Sequence, residues 1–174
     1  MRDNGDFIKE LRAEILNAQG RRAAYTKQKL TFLVGLISIG SISLTKINSS
    51  LLLSIIPVVA FIFDLWILGE NFGIRRAGLF IRMSPYAPEE EKLWEEIVTG
   101  NRDLFARIAG QLSSLIILLL AAYILHGITK HHLLFWIWAG GTFVSILTIW
   151  IIDYKRNNTL KKIENSIIRR RTLE

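Results

Sequence analysis

Four stretches of this chain run without a charged residue: 30–45 (LTFLVGLISIGSISLT), 47–63 (INSSLLLSIIPVVAFIF), 108–129 and 133–152. Leu65–Gly69 continues the second run past a lone Asp64. A helix needs about 20 apolar residues to cross the hydrocarbon core of a bilayer. The two later runs reach that length unaided. The first reaches it if its flanking lysines snorkel, and the second does so with Asp64 included. A core helix of a soluble protein is usually shorter and carries a polar stripe, whereas the runs after residue 107 have no charged face. The pattern predicts an all-α, polytopic membrane protein. Its four transmembrane helices would fall at about 30–46, 47–69, 108–129 and 133–152, within one domain over 30–152.

The polar segments between the runs have helical periodicity of their own. In 1–29, Phe7, Leu11 and Ile15 stand four apart with Ile8 and Leu16 beside them, an amphipathic helix with Gly20 as a break. In 70–107, Pro88 suits a first helical position, and Glu89, Glu90 and Glu91 suit the positive end of a helix dipole. Leu93, Trp94, Ile97 and Val98 then form one apolar face. Gly100 and Asn101 stop that helix before a second through Leu104, Phe105 and Ile108. Ahead of it, GENFGIRRAGLFIRM (69–83) mixes cations and apolar residues as a short interfacial segment does. In the tail, 153–174, Leu160, Ile163 and Ile167 prolong the fourth helix among Lys161, Lys162 and Arg169–Arg171. Pro57, near the start of the second span, predicts a kink or a first-turn position.

Charge orients these elements. Residues 1–29 hold seven Lys and Arg, 70–107 hold six and 153–174 hold seven, against Lys46 and Lys130 alone elsewhere. The positive-inside rule makes the rich side cytoplasmic. Both termini and the 70–107 loop then face the cytosol of a cell inner membrane, with two tight hairpins outside. Trp66, Trp150 and Tyr154 fall at the inner interface and Trp136 and Trp138 at the outer one, as an aromatic belt. The first 20 residues are charged throughout, so no cleavable leader is expected. The net charge of +7 thus reflects topology and not nucleic-acid binding. Arg169, Arg170 and Arg171 suit anionic lipid or a protein partner, or serve only as the basic flank of a span.

Asp64 is the chemical oddity. It lies about 9 Å from the cytoplasmic end of the second span, where an acidic residue costs less than the roughly 2.5–3.5 kcal/mol of a helix centre. Lys27, Lys29, Arg75, Arg76 and Arg107 lie at a comparable depth. A structural ion pair or gating element, a station on an ion or proton path, and simple interfacial exposure all fit.

No enzyme is expected. Cysteine is absent, and no catalytic motif is present. His126, His131 and His132 cluster at the outer end of the third and fourth spans, away from the acids, and suit loop positions better than a metal site. No cofactor is expected. Small residues do recur at helical spacing: Thr31, Gly35, Ser38, Ser41 and Thr45 on the first span, Gly110 and Ser114 on the third, and Gly141, Ser145 and Thr148 on the fourth. Such stripes let helices approach closely or line a narrow aqueous path between subunits.

Residues 13–42, AEILNAQGRRAAYTKQKLTFLVGLISIGSI, resemble SLATT-type membrane modules in an amphipathic helix, an Arg22–Tyr25 turn, Lys27 and Lys29, and then a glycine-bearing span. RRAGLFIR (75–82) followed by WEEI (94–97) is similar to small four-span bacterial membrane proteins. The resemblance implies an effector of a prokaryotic antiviral defence system, forming pores or perturbing the inner membrane when a cytosolic partner senses infection. The leading expectation is therefore a non-enzymatic, self-associating membrane effector. The alternative is a membrane anchor or regulatory subunit that binds a soluble protein without flux.

Overall fold

The computed structural model describes residues 4–42, 46–100, 115–126 and 132–171. They form helices α1 (Asn4–Ile42), α2 (Lys46–Met83), α3 (Glu89–Gly100), α4 (Leu115–His126) and α5 (His132–Arg171), with no strand among the described residues. The chain is all-α. Two helices hold windows long and apolar enough to cross a membrane, within Leu52–Met83 and Phe135–Arg169, and α4 is a shorter apolar helix. Thr45, Arg107, Gly110, Ser114, His131 and the helix expected through Leu104 and Phe105 lie outside the described residues. Ser41, Arg170 and Arg171 are placed only as positions on α1 and α5.

Two boundaries differ from the sequence pattern. α1 runs through Gly20 without a break. One glycine costs a helix only about 1 kcal/mol relative to alanine, which a helix of 39 residues absorbs. Residues 69–83 are the end of α2 and not a separate segment. Two of its three cations, Arg75 and Arg82, meet carboxylates of α5 there, and the third, Arg76, is exposed, so the helix has no reason to stop at the first charge. Pro57 is buried well inside α2. It has no N–H to give to the Leu53 carbonyl one turn back.

The chain forms two compact units. Residues 24–66 and 104–150 make the first, built around Leu33 of α1, Leu53, Ile56 and Ala60 of α2, and Ile117, Leu118, Ala121 and Leu125 of α4. Trp138 and Ile146 of α5 pack against that core. Residues 1–23, 67–103 and 151–174 make the second. Its core is smaller: Ile8, Ile81 and Ala87, with Leu11 and Ile15 against them. Here α3 starts where expected, with the Pro88 carbonyl accepting from the amides of Glu91 and Lys92.

Candidate functional site

In the first unit an ion pair stands beside the apolar core. Lys29 of α1 lies one turn before the fully buried Leu33, and Asp64 of α2 lies one turn after Ala60. Lys29 Nζ donates to Asp64 Oδ1 at 2.5 Å. The lysine side chain is 2% exposed and the aspartate 25%. Tyr25 against Trp66 and Phe32 against Phe63 bracket the pair, with ring centroids 5.5 and 6.0 Å apart. Partner numbers fall on α2 as they rise on α1, so the two helices pack antiparallel in this unit. A cation this buried carries a desolvation penalty of several kcal/mol, which only a close counter-charge offsets. Among the five cations at comparable depth, the structure brings Lys29 to Asp64.

Of the other four, three are among the described residues. Lys27 is exposed. Arg75 Nη1 lies 3.4 Å from Asp153 Oδ1 and also donates to Asn157 Oδ1. Arg76 is exposed, and Arg107 is not among the described residues.

Asp64 also borders a small crevice with Pro57, Ala60 and Phe61 of α2, Leu118 of α4, and Thr142, Ser145, Ile146 and Ile149 of α5. The hydroxyls there donate to their own helix, Thr142 to the Trp138 carbonyl and Ser145 to the Gly141 carbonyl. Ser38 and Thr148 do the same toward Val34 and Val144. Thr31 is exposed. A methyl group added at Gly35, Gly140 or Gly141 would meet nothing within 4 Å. Around Gly35 and Gly141 the small-residue stripes of α1 and α5 are therefore open among the described residues.

The second unit carries interhelical ion pairs that sequence reading missed. Arg21 donates from Nε and Nη2 to Glu70 at 2.8 and 2.9 Å, and Arg22 donates to Asn71 at 3.1 Å. The Arg21 guanidinium holds the Glu70 carboxyl below the ordinary glutamate range, against a smaller opposing effect of burial. Glu70 is the first residue beyond the uncharged run. Arg82 pairs with Glu164. Arg156 donates to the Leu68 carbonyl at 3.2 Å, with its guanidinium 5.1 Å from the Phe72 ring centroid. Arg12 Nε lies 3.2 Å from Glu91 Oε1. A signal for the α1–α2 pairs was present: folding the chain back at Lys46 sets Lys29 opposite residue 63 and Arg21 opposite residue 71.

This unit also holds a groove of about 250 Å³, lined by Leu79, Phe80 and Met83 of α2, Leu160, Ile163 and Ile167 of α5, and Arg76 among others. α3 turns its polar side inward: Glu91 meets Arg12, and the Glu95 carboxylate fills the space beside Gly78. Its apolar residues Leu93, Trp94 and Ile97 are exposed. Among the described residues no group of three His, Cys, Asp or Glu could hold a metal, and His126 packs on the Phe135 ring at 5.2 Å. Arg169 is exposed near the end of α5. No protein-family model, curated protein or solved structure matches this chain.

Proposed function

We propose that this chain is a non-enzymatic membrane effector whose copies associate in an inner membrane and form a pore or otherwise perturb the bilayer. In this reading it crosses the membrane four times. Both termini and residues 70–107 are cytoplasmic, and a cytosolic partner triggers it. The observation that supports self-association is the open small-residue stripe on α1 and α5. Gly35 and Gly141 have space where a side chain would sit. Seams of this kind in transmembrane helices are normally packed against another helix, and a second copy can supply that helix. The Lys29–Asp64 pair beside the crevice then holds the assembled or closed state. The antiviral setting rests on the resemblance of residues 13–42 to SLATT modules.

The test is native mass of the full chain in lipid discs, alongside dye and ion release from vesicles of matching composition. A closed ring of several subunits with release above empty vesicles supports the reading. A monomer without release removes it and leaves the anchor for a soluble partner as the function to pursue.

A further inference from the structure

Two features of the second unit are open among the described residues, and they match. The first is the groove between α2 and α5, apolar along Leu79, Phe80, Met83, Leu160, Ile163 and Ile167. Arg76 lines it, exposed and in no ion pair or hydrogen bond among the described residues. Its neighbours in sequence differ, since Arg75 and Arg82 are engaged by α5. The second is the outward face of α3. Glu90, Leu93, Trp94 and Ile97 follow at intervals of three and four, which puts them on one side of a helix. Leu93, Trp94 and Ile97 are 59%, 58% and 47% exposed. Glu90 is exposed and has no cationic partner among the described residues, whereas Glu89 is held by Lys92 at 2.6 Å.

The chemistry of each feature limits what can cover it. A helix lying on an anionic lipid surface carries lysine and arginine on its polar side. α3 carries Glu89, Glu90, Glu91, Glu95 and Glu96 within eight positions, and such a surface would repel it. The groove needs an apolar ridge with one carboxylate. At about 250 Å³ it lies below the roughly 300–1,000 Å³ of small-molecule pockets, and suits a few side chains. This chain presents such a ridge on α3.

We infer that α3 of one copy docks in the α2–α5 groove of a second copy, burying Leu93, Trp94 and Ile97 and pairing Glu90 with Arg76 of the neighbour. This inference rests on the self-association reading and adds a cytoplasmic contact to it, separate from the small-residue stripes. The contact joins two different surfaces. Repeated from copy to copy, a contact of this type closes into a ring or runs on as a filament.

Charge exchange tests it on the full chain in lipid discs. Arg76→Glu and Glu90→Arg each place like charges in the contact, and each is expected to weaken association about tenfold or more. The double variant, Arg76→Glu with Glu90→Arg, restores opposite charges and is expected to regain the wild-type subunit number by native mass. Both positions are exposed, so helix content by circular dichroism should match in all four proteins. Wild-type subunit number in both single variants overturns the inference while leaving self-association standing. Single variants that dissociate without rescue by the double also overturn it. A monomeric wild-type protein overturns both. Loss of a bound lipid in place of a subunit from the Arg76→Glu protein shows the groove to be a lipid site, and also overturns it.

Discussion

Lys29 and Asp64, separated by 35 residues of chain, meet at 2.5 Å with the lysine almost wholly buried. The pair costs desolvation on both sides, and its value lies in what happens when one member is lost. Lys29→Met removes the close counter-charge of Asp64 and is expected to cost about 3 kcal/mol or more. Asp64→Asn removes the counter-charge of the buried lysine and should cost a similar amount. Lys29→Met with Asp64→Leu should recover most of the loss. Denaturant unfolding in detergent micelles reads all three. A double variant whose loss equals the sum of the two single losses would show that the two residues do not act as a pair.

The same site bears on flux. If the pair holds a closed or assembled state, Asp64→Asn changes ion release from vesicles without preventing membrane insertion. Unchanged release at equal insertion removes Asp64 from any gating role.

Gly35 and Gly141 separate stability from association. Each has open space around a would-be Cβ, so Gly35→Ala should stabilise a single copy by about 0.5–1 kcal/mol through helix propensity alone. Gly35→Leu and Gly141→Leu should leave the fold of one chain intact and lower the subunit number, because the bulk falls where a second helix would approach. Native mass together with thermal melting decides. A lower melting temperature at unchanged subunit number contradicts the open-seam geometry.

Arg75 bonds both Asp153 and Asn157, so Arg75→Ala should cost more than Asp153→Ala. A double-mutant cycle on Arg75 and Asp153 is expected to return a coupling of about 1–2 kcal/mol, measured by denaturant unfolding. Additive losses would show the pair to be incidental.

The Arg21–Glu70 contact carries a pH signature. Glu70 titrates below the ordinary glutamate range in the folded chain. The stabilisation it provides is complete above the unfolded value of about 4.3. It is lost as pH falls through the lowered folded value, so no effect of this pair is expected between pH 5 and 8. Glu70→Gln should flatten part of the acid limb of a stability–pH curve and leave the neutral region unchanged in slope.

The helices were readable because their signals are local: the periodicity of Phe7, Leu11 and Ile15, the Pro88–Glu91 start, and the continuation of α5 into the basic tail. Gly20 misled because one glycine costs a long helix little, and the cation-rich end of α2 because Arg75 and Arg82 are paired from a distance. No window of sequence shows that Arg82 finds Glu164, or that Arg75 finds Asp153. The partner of Asp64 stood among five cations for the same reason. Depth along a helix follows from counting residues, whereas the register of α1 on α2 needs the further assumption that the two helices run antiparallel. The outward apolar face of α3 was legible in Leu93, Trp94 and Ile97. Its direction was not, because that depends on Arg12 and Gly78, which receive the acidic side.

The hydroxyls of Ser38, Thr142, Ser145 and Thr148 all donate to carbonyls of their own helices. A hydroxyl has one proton and two lone pairs. With the proton committed inward, these side chains can present only oxygen lone pairs to whatever approaches them. Water meeting any one of them would be oriented hydrogen-first, and a cation there would find a ligand where an anion would find none. A row of residues that looks merely small and polar in sequence is, by this geometry, biased in sign.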